Sequence, residues 1–127
     1  MSYTIRQKFV HMAPRKLRLV ADLVRGKQTD TALAQLAVLP KIAAKPITQA
    51  VKAAMNAAKQ KQHEGQLVVA SIFIDEGPAM KRRIIKSRGR ATRMEHRMSH
   101  ITVVVAEAPA SAATKSAKPK KEVSHGS

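Results

Sequence analysis

The 127-residue sequence contains no cysteine and no tryptophan, and its only aromatic residues are one tyrosine and two phenylalanines. Without cysteine the chain forms no disulfide and offers no thiolate chemistry, so nothing in its composition points to export. Proteins that read single strands usually stack bases on aromatic side chains, and three such residues cannot offer a stacking platform. We therefore expect any nucleic acid to be bound through phosphate contacts and shape.

Acidic residues are also scarce. Eight aspartate and glutamate residues stand against 24 lysine and arginine residues, which gives a formal net charge of +16. Because a folded monomer with this charge repels itself, the composition predicts a polyanionic partner. No apolar run approaches the roughly 20 residues of a membrane-spanning helix. The first residues also lack an apolar signal core, so we expect a cytoplasmic protein with no membrane span.

The cations are concentrated between two apolar stretches, 67–74 and 101–105, whose β-branched residues are typical of strands. The charged run contains a single acid, Glu95, and Gly89 lies near its middle, where a hairpin would turn. This pattern predicts a β-hairpin at about residues 78–99, with arms of about nine residues and a reach of roughly 30 Å. Its cations are Lys81, Arg82, Arg83, Lys86, Arg88, Arg90, Arg93 and Arg97.

Both faces of the predicted hairpin mix charged and apolar side chains, which suits neither a protein core nor bulk water. An isolated two-stranded hairpin is marginal in water, and repulsion among its cations weakens it further. A surrounding polyanion would remove both problems. The alternative, a solvated surface loop, is disfavoured because strong strand signals flank the run.

The upstream sequence predicts a strand over residues 3–10 and then a helix opened by Pro14 and ended by a glycine cap, Gly26. The N-cap position is Ala13, which has no acceptor for a backbone N–H and should cost roughly 1 kcal/mol of helix stability. The residues expected on the inner face of the strand are Tyr3, Ile5, Gln7 and Phe9, and those on the buried stripe of the helix are Leu17, Val20, Ala21 and Val24.

Two further helices are predicted. A short one should be capped by Thr29 or Asp30 and stopped by Pro40. A longer one, ending near Gln62, either starts directly after that proline with a kink at Pro46, or starts just before Pro46. The expected buried positions are Leu33, Leu36 and Ala37 in the short helix and Ile47, Ala50, Val51, Ala54, Met55 and Ala58 in the long one.

Three motifs in and around the charged run resemble the bacterial uL22 family of large-subunit ribosomal proteins. They are Glu-Gly-Pro-x-Met-Lys-Arg at 76–82, Arg-Gly-Arg-Ala at 88–91 and Ser-His-Ile-Thr-Val-Val-Val at 99–105. The segment Arg-Lys-x-Arg-Leu-Val-Ala-Asp-Leu-Val-Arg-Gly-Lys at 15–27 looks like the first helix of that family. The resemblance covers about residues 3–106.

The predicted elements add up to an α+β fold, and the resemblance implies the same one. Three helices would pack on a small three-stranded antiparallel sheet with a long protruding β-hairpin. Residues 1–106 would form this domain. Residues 107–127, rich in alanine, lysine, proline and serine, are predicted to be a disordered basic tail.

The resemblance implies a structural constituent of the large ribosomal subunit, present in one copy, that binds 23S-type ribosomal RNA and supports subunit assembly and translation. It further implies that the hairpin tip lines the nascent-peptide exit tunnel near ribosomal protein uL4, beside the nascent chain, and that hairpin changes affect macrolide antibiotics indirectly. The tip residues concerned are Lys86, Ser87, Arg88, Gly89, Arg90 and Ala91. The expected rRNA-binding residues are Arg6, Lys8, Arg15, Lys16, Arg18, Arg25, Lys27, Lys81, Arg82, Arg83, Lys86, Arg88, Arg90, Arg93, Arg97 and His100.

Two positions depart from the family pattern. Lys86 stands where the family usually has arginine, which keeps the charge but loses the bidentate fork for phosphate. Ile85 stands where proline is common, so the near arm of the hairpin is expected to be straighter or less fixed.

Other chemistry is disfavoured. The histidines lack metal-ligand spacing, and we expect neither a metal nor a cofactor. Asp75 and Glu76 point to opposite faces of a strand, so they cannot act as an acid–base pair and are expected to pair with cations at the hairpin base. No nucleophile has a base nearby, which argues against an enzyme. A free-standing architectural DNA-binding protein is the alternative, although the predicted tip carries no apolar wedge.

Overall fold

A computed structural model describes residues 1–108, so the predicted tail lies outside the described residues except for its first two positions. The elements are β1 (Ser2–Val10), α1 (Pro14–Val24), α2 (Thr29–Val38), α3 (Ala44–Gln60), β2 (Leu67–Ile85) and β3 (Ala91–Glu107), with a 3₁₀ turn at Ser87–Gly89. The three strands form one antiparallel sheet in the order β1-β3-β2. Helix α3 packs on β1 and β3, and α1 packs on β2. The predicted α+β fold class is confirmed.

The core forms where the central strand β3 meets the helices. Ile101, Val103 and Val105 of β3 have no exposed surface, and Ile72 of β2 lies beside them. Burial of a side chain of this size contributes about 1.5–3 kcal/mol. Leu17, Val20, Ala21 and Val24 of α1 and Ile47, Ala50, Val51, Ala54 and Ala58 of α3 complete the core, as their helical spacing predicts.

Helix α2 departs from its predicted cap and face. Its N-cap residue is Gln28, which makes no side-chain cap bond, and Thr29 is a buried residue of the first turn. The backbone of Gln28 bridges to Val68, so pairing with the sheet determines where the helix starts. In consequence Ala32 enters the core, and Ala37, predicted to be buried, is exposed.

Helix α3 starts at Ala44, the later of the two predicted starts. Pro46 therefore lies in the first turn, where a missing N–H breaks no intrahelical bond. The hydroxyl of Thr48 donates to the Ala44 carbonyl at 2.7 Å. No kink is needed, because the proline comes before the ladder of helical bonds begins.

The loop after α1 covers the free edge of β2. The N–H of Gly26 donates to the Val69 carbonyl at 2.9 Å, and the Val69 N–H donates to the Lys27 carbonyl at 2.9 Å. Gly26 has φ of +78°, which fits its predicted place after the helix and is costly for other residues. An edge strand with paired backbone groups cannot recruit another strand.

The alternation of inward and outward side chains along β1 is interrupted near the end of the strand. Gln7 pairs with Ile101 and Val10 pairs with Ser99, so two residues of β1 oppose one of β3. This bulge turns Phe9 outward, with φ of +57° and 54% of its surface exposed. The prediction that Phe9 shares the inner face with Tyr3 is therefore wrong.

Beyond β1, strands β2 and β3 continue alone as the hairpin. Their pairing runs from Ala79 opposite Arg97 to Ile85 opposite Ala91. At about 3.3 Å per residue these paired arms extend roughly 20 Å, and the bulge and tip add to that reach. At the other end, β3 continues to Glu107, opposite Leu67, one residue past the expected end of the strand at Ala106.

A bulge marks the base of the hairpin. Glu76 pairs with Ser99 and Ala79 with Arg97, which leaves two residues opposite Met98. One of them is Gly77, where an added Cβ would lie 3.0 Å from the carbonyl carbon and oxygen of Met98. Only glycine permits this close approach of the two backbones, so the glycine in the Glu-Gly-Pro motif has a structural reason.

We predict that the hairpin is separable from the domain. Replacement of residues 80–96 by an Asn-Gly turn between the paired residues Ala79 and Arg97 should leave a cooperative thermal transition, because residues 79–97 are all exposed and none belongs to the buried core. Circular dichroism of both proteins is the measurement. Loss of the cooperative transition would show that the arm stabilises the core.

Candidate nucleic-acid interface

The hairpin presents its cations to solvent without neutralising them. Every residue from 79 to 97 is exposed. Lys81 lies opposite Glu95, but Arg83 lies directly opposite Arg93. Like charges at facing positions are destabilising. In the residues that the structure describes, the one ion pair of the hairpin joins Arg97 Nε to Glu95 Oε2 at 3.9 Å.

The two faces of the hairpin differ in apolar content. Met80, Ile84 and Met94 share one face by their register and are 36%, 44% and 39% exposed. Ile85, on the opposite face near the tip, is 85% exposed. The mixed character predicted for both faces is present, and the first face carries most of the apolar side chains.

The tip is a tight connection held by its own backbone. The Lys86 N–H donates to the Arg90 carbonyl at 2.7 Å. Arg88 and Gly89 have φ of +60° and +69°, and the left-handed conformation is unfavourable for arginine. The predicted turn at Gly89 is confirmed. Ile85 remains paired with Ala91, so the near arm stays a regular strand up to the residue before the turn.

Two of the predicted RNA-binding arginines also bind the protein itself. Arg18 Nη2 donates to the Ile74 carbonyl at 3.1 Å, and Arg25 Nη2 donates to the Ile72 carbonyl at 2.9 Å. Arg25 also pairs with Asp22 at 2.8 Å. Both guanidinium groups thus satisfy carbonyls on the outer edge of β2 and tie α1 to the sheet.

The other predicted cations of the globular part lie on two surfaces. Arg6 and Lys8 are exposed on β1, and Arg15 and Lys16 are exposed on the first turn of α1. Lys27 donates to the Gln35 side chain at 2.6 Å, which holds the loop after α1 against α2.

A groove of about 870 Å³ lies at the base of the hairpin, between α1 and the turn before α3. Lys16 and Arg97, both predicted to bind RNA, line it. His11 and Lys41 line it as well, and sequence reasoning missed them. No local pattern marks these two residues, because their proximity depends on how the hairpin leaves the sheet.

Three further observations concern residues 1–108. Asp75 and Glu76 form no ion pair there, contrary to prediction, and the guanidinium of Arg18 binds the carbonyl of Ile74, the residue before Asp75. His100 Nδ1 accepts the Phe9 N–H at 3.1 Å, so its ring is engaged with the protein. In this part of the chain no group of three or more potential ligands is placed to hold a metal ion, and no helix is long and apolar enough to cross a membrane.

These features define a class of protein: a small basic α+β domain that carries a long, exposed cationic β-hairpin. The family model for ribosomal protein L22p/L17e matches residues 5–106. The chain is 44% identical over 102 residues to large ribosomal subunit protein uL22 of Desulforamulus reducens, covering 79% of this chain and 90% of that protein. It is 41% identical over 102 residues to the protein of the same name from Deinococcus deserti, covering 79% and 73%. The chain therefore belongs to the uL22 family of ribosomal proteins, whose members are structural and not enzymes.

The two roles of the α1 cations predict different effects on stability. Arg18→Ala and Arg25→Ala should each lower the free energy of unfolding by about 1 kcal/mol, because each leaves an edge carbonyl without its donor. Arg15→Ala and Lys16→Ala, on the same helix, should change it by less than about 0.5 kcal/mol. Thermal or urea unfolding of the four variants makes the comparison. Equal effects in both pairs would contradict the structural role.

Proposed function

We propose that the protein is a structural constituent of the large subunit of the cytoplasmic ribosome, present in one copy, that binds 23S-type rRNA and supports subunit assembly and translation. The observation that carries this proposal is the hairpin, which is exposed along residues 79–97, cationic on both faces and absent from the core. Family membership supports the ribosomal setting.

The electrostatics favour an RNA environment around the arm on all sides. The facing pair Arg83 and Arg93 is repulsive in the free protein and becomes favourable when phosphates lie between or beside the two groups. A single flat surface would neutralise only one face of the hairpin. A folded RNA with helices on several sides neutralises both, and the arm can then act as a spacer between those helices.

The tip is the part of the arm farthest from the globular domain. We propose that Lys86, Ser87, Arg88, Gly89, Arg90 and Ala91 line the nascent-peptide exit tunnel near protein uL4, in contact with the nascent chain. Their exposure and the closed turn from Lys86 to Arg90 support this role, because a wall element needs a fixed backbone and accessible side chains. Changes here would alter macrolide sensitivity indirectly, through the shape of the tunnel.

Removal of hairpin charge should weaken incorporation into the subunit. We expect the variant with Lys81, Arg83 and Arg93 replaced by glutamine to leave the large subunit in a high-salt wash that the wild-type protein withstands. The slope of log affinity for 23S-type rRNA against log salt should fall by roughly 0.7–0.9 per lost phosphate contact. Sedimentation from lysate and filter binding measure the two effects.

The matched control removes the same charge from α3. Lys45, Lys52 and Lys59 are exposed on that helix and lie outside the proposed interface. Their replacement by glutamine should leave retention unchanged. Equal losses of retention in both triple variants would show that retention depends on total charge and not on the position of the charge in the hairpin. Equal affinity of the wild-type protein for duplex DNA and rRNA at the same salt would favour the architectural DNA-binding alternative.

The tunnel position can be tested with a single introduced thiol, since the chain has no cysteine. We expect Ser87→Cys to form a crosslink with a stalled nascent chain that carries a thiol-reactive group. Gln49→Cys, on the exposed face of α3, should form none. Crosslinking of purified ribosomes followed by electrophoresis gives the result, and crosslinks from both positions or from neither would contradict a tunnel-lining tip.

A further inference from the structure

Phe9 combines a left-handed backbone with an exposed aromatic ring. Its φ of +57° is an outlier for a bulky side chain, and glycine or asparagine would adopt it more easily. The ring is 54% exposed although the sequence alternation assigns it to the inner face. A strained, exposed aromatic residue in a protein with so few aromatics indicates a function outside the protein's own fold.

The conformation of Phe9 is held by neighbouring residues of β3. The Phe9 N–H donates to His100 Nδ1 at 3.1 Å, and the two rings meet edge to face with centroids 5.2 Å apart and planes at 86°. Ser99, which is fully buried, donates its hydroxyl to the Met12 carbonyl at 2.6 Å and so fixes the chain beyond the bulge. These contacts hold the backbone of Phe9 and place its ring against His100.

Cations lie near Phe9 along the paired strands β1 and β3. Lys8 precedes it in the chain, and Arg6 is exposed on the same strand. Arg97, at the base of the hairpin, is three residues before His100. An exposed aromatic ring among cations matches a nucleotide, whose base stacks while its flanking phosphates meet the positive groups.

We propose that Phe9, positioned by His100, is a stacking site for one unpaired base of ribosomal RNA. The inference rests on the proposed function, since it names an RNA contact of the same interface. It revises the expectation that aromatic stacking has no part in binding, because one preorganised ring is sufficient for one base.

The test compares Phe9→Leu with Phe73→Leu in the full-length chain. Phe73 is an equally exposed phenylalanine, at 55%, in the regular part of β2. Leucine keeps an apolar side chain but has no aromatic face. In filter binding to 23S-type rRNA at fixed salt, Phe9→Leu should bind at least about fivefold more weakly, whereas Phe9→Tyr and Phe73→Leu should stay within about twofold of wild type. The salt dependence should not change, because no phosphate contact is lost.

A second variant separates binding from folding. Phe9→Gly accepts the left-handed backbone without strain but loses the ring contact with His100, so it should keep a cooperative thermal transition while its affinity for the RNA falls as in Phe9→Leu. Wild-type affinity in Phe9→Leu, an equal loss in Phe73→Leu, or a lowered midpoint with unchanged affinity would each overturn the stacking site. If the wild-type protein does not prefer 23S-type rRNA to an unrelated RNA of equal length, the proposed function itself fails.

Discussion

The pairing of β3 with strands on both sides is the constraint on which the rest of the structure depends. Its second half is the middle of the sheet, where Ile101, Val103 and Val105 have no exposed surface. Its first half is one arm of the hairpin. A free two-stranded hairpin has marginal stability in water. The direction of the arm is therefore set by a strand that is already fixed in the core. The same strand also holds the bulge of β1 through Ser99 and His100.

The cations fall into two groups according to their effect on the stability of the fold. Arg18 and Arg25 use their guanidinium groups on carbonyls at the open edge of β2, where an unpaired row of acceptors would otherwise attract another strand. Arg83 and Arg93 do the opposite, since they face each other and destabilise the free arm. A charge that costs stability in the free protein is understandable when its stabilising partner is another molecule.

Helical and strand periodicity predicted most of the fold because it reports local burial. The stripe from Leu17 to Val24, the stripe of α3 and the hairpin turn at Gly89 all follow from spacing along the chain. The errors occur where a distant residue decides. The start of α2 is set by pairing of Gln28 with Val68, and the outward turn of Phe9 depends on a bulge opposite His100. A local stretch of sequence does not show which distant residue will be the partner in either case. For the same reason the sequence did not predict that Lys41 lies near the hairpin base.

Within residues 1–108, two of the three non-glycine residues with left-handed backbone, Phe9 and Arg88, lie at positions proposed to meet RNA, and the third, Gln62, follows α3. Left-handed backbone at Phe9 and Arg88 costs on the order of 1–3 kcal/mol each. Domains of this size have a total stability of roughly 5–15 kcal/mol, so two such sites are a large fraction of it. A partner that binds only the folded state raises the free energy of unfolding. The increase grows with the logarithm of the ratio of the partner's concentration to its dissociation constant. We therefore expect the free protein to have a low free energy of unfolding. The features that destabilise it in isolation are the same ones that suit it to bind a polyanion.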